Sequence, residues 1–248
     1  MKKYLTLENL SVLLLLTINV AFAALYVLQN TITFHTDIAR DFLLLEDMFY
    51  NKNISLIGPR SGGIPGVFHG PLWIYLNLPA YIIGKGDPVI VGWFWVLLFV
   101  ASIILVYWVG KKLWNKEVGI MSALLVSVTT LSDIHNLFNP YGAVITFPLF
   151  LYFIGKYLET KKILQLVLAL FTLGIIIQFQ MAFGGPILIL MIGYLIYDSI
   201  IKKNIKPLLA LAVLIIPLSS FIVFELRNNF LQTHSVYNYI TGVETALI

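Results

Sequence analysis

The sequence contains no cysteine. That removes disulfides, thiolate-held zinc or iron–sulfur centres, and a thiol nucleophile from consideration. Charge is scarce as well. Only 11% of the 248 residues are Asp, Glu, Lys or Arg, against roughly 25% in a soluble domain. With 59% hydrophobic residues, the chain cannot cover a water-facing surface, so lipid must be its main solvent. There is no P-loop and no G-x-G-x-x-G following a strand, which leaves a nucleotide or nucleotide-sugar without a recognisable seat. The net charge of +4 does not point to nucleic acid, because its distribution is a topology signal.

What the chain does have is long apolar stretches, at about 10–28, 88–109, 118–132, 143–157, 163–181, 186–201 and 207–224. The fold class expected is an all-α membrane protein with about seven transmembrane helices. Lys2 and Lys3 precede the first stretch, and Ala21-Phe22-Ala23 resembles a signal-peptidase site. A signal peptide has an apolar core of about 7–15 residues. This run is longer and reads as an uncleaved first helix. The stretch 71–84 is short, rich in Trp73, Tyr75 and Tyr81, and broken by Pro79. It suits an interfacial or re-entrant helix better than a span.

The positive-inside rule sets the orientation. With the N-terminus cytoplasmic and 71–84 outside, eleven of the 16 basic residues fall inside. They are Lys2, Lys3, Lys111, Lys112, Lys116, Lys156, Lys161, Lys162, Lys202, Lys203 and Lys206. Letting 71–84 span would send the 111–116 and 202–206 clusters outside. Eight acidic residues and all four histidines, His35, His69, His135 and His234, then lie outside. The expected localisation is a multi-pass cell-membrane protein with its titratable chemistry on the extracytoplasmic face.

The expected organisation is a single module over 1–248. An outer loop at 29–87 carries juxtamembrane helices at 37–50 and 71–84, and 225–248 forms a further outer segment. Thr36 is placed to cap the 37–50 helix, with Asp37 in its first turn where the dipole favours an anion. Asp37 and Asp41 share a face beside Arg40. Gly58 to Gly66 holds four glycines and two prolines, a pattern of turns and close backbone approach. Asn139-Pro140 reads as an N-cap and first-position pair, and Gly184-Gly185-Pro186 as another helix start. Asn53-Ile54-Ser55 is a glycosylation sequon. The chain stops at Ala246-Leu247-Ile248 without a terminal feature, as the front part of a longer protein would.

Three segments carry a family likeness: Thr36-Asp37-Ile38-Ala39-Arg40-Asp41, Gly63 through His69-Gly70-Pro71-Leu72-Trp73, and Phe138-Asn139-Pro140-Tyr141. Together they resemble the GT-C superfamily of membrane glycosyltransferases, which includes protein O-mannosyltransferases, lipid A aminoarabinose transferases and RgtA-like families. The second segment is similar to an H-P-P-L run, with Gly70 in place of the first proline. Members are usually longer, with more spans. The resemblance implies a polyprenyl-phosphate sugar donor used on the extracytoplasmic side, and Asp37 as catalytic base. The acceptor would be a lipid, polysaccharide or protein.

The residues accommodate that chemistry. An acceptor hydroxyl needs a carboxylate in reach as it attacks the sugar, a role for Asp37, with Asp41 sharing it or orienting Arg40. The departing lipid phosphate needs cations, for which Arg40, Arg60, Lys85 and Arg227 are candidates. His69, Asp133, His135, Asn139 and Glu225 are further site candidates. No cofactor follows for certain. A divalent metal is an open reading at Asp133 and His135, whose D-x-H spacing resembles the metal-binding second loop of some GT-C enzymes. Each residue also has a plain alternative: a helix start for Asp37, a solvated pair for Arg40 or for Glu225 with Arg227, a turn anchor for His69, interfacial anchors for Arg60 and Lys85, a cap for Asn139. Two other functions compete. A transporter places charged residues mid-membrane, and none falls there. A non-catalytic polyprenyl-lipid-binding or scaffold protein would keep the groove and tolerate loss of Asp37.

Overall fold

A computed structural model describes residues 7–242. Lys2, Lys3, Glu244 and the terminal Ala246-Leu247-Ile248 lie outside them. The described chain is helical: α1 (Leu7–Leu28), α2 (Thr36–Tyr50), α3 (Leu72–Gly84), α4 (Pro88–Leu113), α5 (Lys116–Thr130), α6 (Asn139–Thr160), α7 (Ile163–Phe179), α8 (Met181–Lys202), α9 (Lys206–Leu209), α10 (Ser219–Arg227) and α11 (Leu231–Thr241). Short 3-10 turns at Leu131–Asn136 and Ala210–Ile215 extend α5 and α9. Among the described residues no β-strand forms. One isolated antiparallel bridge joins Arg60 and Phe68.

Among the described residues five helices are long and apolar enough to cross a bilayer: Asn9–Leu28, Pro88–Leu113, Lys116–Asn136, Asn139–Thr160 and Met181–Lys202. Lys206–Ile215 and Ser219–Arg227, bent by 67° at their break, make a sixth if counted together. Reaching the expected count of about seven requires α7. At 17 residues it rises about 26 Å, at the short end of the lengths that cross a hydrocarbon core of about 30 Å. The expected 163–181 stretch is cut because the chain turns extended at Gln180, φ −148° and ψ 95°. α7 also fills the interior of the bundle: Leu166, Leu170, Leu173 and Ile176 are fully buried, and the helix packs against α3, α6, α8 and the 210–215 turn.

Local chemistry sets the helix ends. Pro88 opens α4 behind Asp87, whose Oδ1 accepts the Val89 N–H at 2.9 Å. Asn115 Oδ1 accepts the Val118 N–H at 2.8 Å to start α5. α4 and α5 approach closely where Gly110 meets Gly119. A Cβ on Gly110 would stand 2.8 Å from the Gly119 Cα, the small-residue packing that helices use in lipid. α3 is tied to α4 by a buried pair: Trp95 Nε1 donates to Asn77 Oδ1 at 2.8 Å, and Asn77 Nδ2 to the Trp73 carbonyl at 2.8 Å.

The loops sort to two ends. At one end Thr33 N–H reaches the His135 carbonyl (3.0 Å), Gly70 N–H the Gln178 carbonyl (2.8 Å) and Phe68 N–H the Gln232 Oε1 (2.8 Å). The segment 29–71, the 131–138 turn, the α7–α8 break and α11 therefore share this end, called the site end here. The lysine-bearing turns at 111–116, 161–162 and 202–206 lie at the other. There Lys161 Nζ meets Tyr194 Oη at 3.2 Å and Lys202 Nζ meets Asp198 Oδ1 at 2.5 Å.

Candidate active site

The first turn of α2 holds a cluster of charge. His35 is the N-cap, and its Nδ1 accepts the Asp37 N–H at 3.2 Å. Thr36, the cap expected from sequence, is instead the first helical residue, because His35 supplies an acceptor one position earlier. Arg40 Nη1 lies 2.8 Å from Asp37 Oδ1 and Nη2 lies 3.2 Å from Asp41 Oδ1. One planar guanidinium thus holds two carboxylates one helical turn apart.

The two carboxylates differ in environment. The Asp37 side chain is 40% exposed and that of Asp41 only 6%. Burial pushes the Asp41 carboxyl up to about 6, against the opposing pull of Arg40. Asp41 Oδ2 and Arg40 Nε are buried with no hydrogen-bond partner. Buried polar atoms in native proteins are nearly always partnered, so two such atoms on neighbouring side chains set this spot apart from the ordinary core.

His69 joins the cluster from the 58–70 hairpin. Gly58 N–H donates to the His69 carbonyl at 2.8 Å, His69 N–H to the Pro59 carbonyl at 2.9 Å, and Ser61 N–H to the Val67 carbonyl at 2.8 Å. α11 grips the tip, with Gln232 on Phe68 and Ser235 against Gly66. Gly66 has φ +81°, and a Cβ there would come 2.2 Å from Ser235 Oγ. His69 itself is buried, and its Nδ1 has no partner. Burial, and then the Arg40 charge, hold its pKa below the ordinary value, with Asp37 opposing. The imidazole is therefore neutral at pH 7 and close enough to Asp37 and Arg40 to feel both.

The remaining sequence candidates are placed elsewhere at this end. Asp133 and His135 lie in the 131–136 turn. His135 stacks on Tyr26 at 5.1 Å, and Asp133 sits beside the Tyr141 hydroxyl. Among the described residues no group of three or more His, Asp or Glu side chains converges to hold a metal ion, so this pair has no third ligand. Asn139 does not cap α6. Phe138 is the N-cap, and the buried Asn139 Nδ2 donates to the Phe179 carbonyl at 2.9 Å, closing the end of α7 with a bond across 40 residues. Likewise α8 begins at Met181, leaving Gly184, Gly185 and Pro186 inside it.

Glu225 is fully used as a cap. Its carboxylate accepts Gln232 N–H (3.0 Å), Thr233 N–H (3.1 Å) and Thr233 Oγ1 (2.6 Å) at the start of α11. Lys85 sits in the left-handed conformation at the C-terminus of α3, the far end of a helix about 20 Å long. Arg60 is exposed on the hairpin. Arg227 lines a separate cleft with Asp47, and ten residues of α2, about 15 Å, separate Asp47 from Asp37. Of the four cations expected at a donor phosphate, Arg40 alone stands with the two carboxylates. Sequence reasoning missed His35 as part of the cluster; the signal was its position two residues before Asp37, hidden by the stronger hydroxyl cap offered at Thr36.

Comparison with known proteins supplies the family. The family described as dolichyl-phosphate-mannose-protein mannosyltransferase matches residues 69–224, more than half of the chain. Neither a curated protein nor a solved structure matches. The match begins at His69, so α1 and α2, with Asp37, Arg40 and Asp41, precede it. A multi-pass bundle with its polar loops gathered at one end agrees with that match. This chain belongs to the dolichyl-phosphate-mannose-protein mannosyltransferase family, a GT-C glycosyltransferase family.

Proposed function

We propose that the chain moves a sugar, mannose by the family's description, from a polyprenyl-phosphate carrier to an acceptor hydroxyl on the extracytoplasmic face. The observation that carries this reading is the α2 cluster, in which an accessible carboxylate, Asp37, is held by Arg40 while a buried carboxylate, Asp41, holds Arg40 from behind. In the transfer the acceptor oxygen bonds to the anomeric carbon. The bond from that carbon to the phosphate oxygen breaks, and its electron pair stays on the lipid phosphate. The hydroxyl proton passes to Asp37.

Each neighbour has a task in this reading. Arg40 stabilises charge growing on the departing phosphate through the exposed part of its guanidinium, the side chain being 30% exposed. Asp41 is too enclosed to reach an acceptor and serves as a positioning residue for Arg40. Neutral His69 offers hydrogen bonds to sugar hydroxyls without adding charge. The separation of the lysine turns from this end supports an extracytoplasmic site.

The test uses the full chain in lipid vesicles with a polyprenyl-phosphate mannose donor and membranes of the source cell as acceptor, reading label moved from the carrier. The wild type consumes the donor. Asp37→Asn lowers turnover by about a hundredfold or more while keeping donor affinity. No consumption by the wild type would overturn the transferase reading; wild-type turnover in Asp37→Asn would remove Asp37 as the base.

A further inference from the structure

The site end carries a second opening that the transfer chemistry does not use. A cleft of about 390 Å³ lies between the end of α2, the 53–57 segment and the end of α10, lined among others by Asp47, Asn53, Ser55, Phe224 and Arg227. Its polar groups are held in place. Asp47 Oδ1 accepts Asn51 Nδ2 at 2.7 Å, and both Asp47 oxygens accept Asn53 Nδ2, at 3.1 and 2.9 Å. The Asn51 and Asn53 amides hold the Asp47 carboxyl below its ordinary pKa, so it stays an acceptor across the working range. The Ser55 carbonyl is fixed by the Tyr75 hydroxyl at 2.9 Å. Arg227, in the last turn of α10 where the dipole favours a cation, is exposed, and among the described residues it pairs with no carboxylate.

We infer that this cleft binds a saccharide part of the acceptor, one or more rings away from the hydroxyl that reacts. The inference rests on the transferase reading above. A fixed carboxylate accepts hydroxyl protons, an unpaired guanidinium donates to ring or hydroxyl oxygens, and Phe224 offers an apolar face beside them. An extended peptide acceptor would be held by adding to a free strand edge. The described residues have no strand to offer, and the cleft sets the polar Asp47, Asn53 and Arg227 beside the apolar Ile54, Leu56, Ile57 and Phe224, matching the hydroxyls and apolar faces of a sugar ring. About 15 Å of α2 separates the cleft from Asp37, so a ligand filling both is an extended glycan rather than a single sugar. An acceptor held this way already carries saccharide, whatever its carrier, and Asp47, Asn53 and Arg227 are the residues that select it.

Saturation-transfer NMR on the full chain in lipid nanodiscs tests this with free manno-oligosaccharides of increasing length. The expected result is binding that strengthens with length, weakens about tenfold in Arg227→Ala and in Asn53→Ala, and persists in Asp37→Asn. No binding by any oligosaccharide while mannose transfer proceeds would overturn the inference and favour a protein acceptor. So would binding that ignores both cleft substitutions. Oligosaccharide binding sensitive to Arg227 in a chain that transfers nothing would leave the cleft standing and bring down the transferase reading instead.

Discussion

Asp41 is the residue whose environment departs furthest from what its position in the sequence implies. An acidic residue on the polar side of a juxtamembrane helix is expected to be wet; here the carboxyl is enclosed, and burial raises it from 3.8 to about 6. The sign of the consequence is fixed by linkage. Below pH 3.8 the folded and unfolded states both hold the proton. Between 3.8 and 6 the folded state holds more of it, so stability falls as pH rises through that window, by about 3 kcal/mol at most. Melting of the purified chain should therefore show a component that weakens between pH 4 and 6 and is absent in Asp41→Asn. An identical pH profile in the variant would show that Asp41 is not the buried acid. The pairing of Asp37, Arg40 and Asp41 was legible in the sequence because positions three and four apart share a helix face. The burial of Asp41 was not, since it depends on Trp73 and Leu137, brought in from distant segments. Arg227 illustrates the same gap from the other direction: its charge was legible, but its distance from Arg40 is set by how α10 meets the end of α2.

Among the elements, the hairpin that carries His69 is seated on α7 through Gly70. Gly70 N–H donates to the Gln178 carbonyl at 2.8 Å, and a Cβ on it would come 1.8 Å from Gln178 Oε1 and 2.8 Å from the Gln178 backbone oxygen. The H-P-P-L run that this segment resembles carries proline here, which has no N–H to give. The departure from that run is thus matched by a contact: Gln178 Nε2 is committed to the Pro217 carbonyl (2.6 Å) and to Ser220 Oγ (2.8 Å), which holds the glutamine in the way of any side chain at 70. Gly70→Ala should lower the melting temperature in detergent by several degrees, the effect of about 1–3 kcal/mol of overpacking. Gly62→Ala, with nothing within 4 Å of its Cβ, should be close to neutral. Equal effects would mean that the hairpin is not seated on α7. The glycines marked this segment as turns in the sequence. Their partner on α7 lies more than a hundred residues away, and no local pattern names it. The same applies to Asn139, where a cap was expected from the Asn-Pro pair and a long-range bond to Phe179 took the side chain instead.

For the whole molecule, charge and hydropathy carried the most. The lysine clusters share one side when 71–84 does not cross and 163–181 does, and α3, at 13 residues, is too short to cross. α7 runs from the lysine turn at 161–162 to the break at Gln180 at the site end, so it passes from one end of the bundle to the other while facing helices rather than lipid. α7 is apolar because it is buried among other helices, and composition alone does not separate protein from lipid as the surrounding medium. The segregation of loops also makes a prediction that the absence of cysteine renders clean. Tyr50, 63% exposed at the site end, and Glu117, its side chain 64% exposed beside the lysine turn, can each be replaced by a single cysteine in a background with no other thiol. In intact cells a membrane-impermeant maleimide should label Tyr50→Cys and leave Glu117→Cys untouched until the membrane is opened. The reverse pattern would put Asp37 and Arg40 on the cytoplasmic face and deny them a donor presented from outside. Equal labelling of both in sealed cells would place the two ends on one side, which no bundle with these spans allows. The predicted asymmetry follows from lysines that stay on the side where they were made, and it would fix the face on which the sugar is transferred.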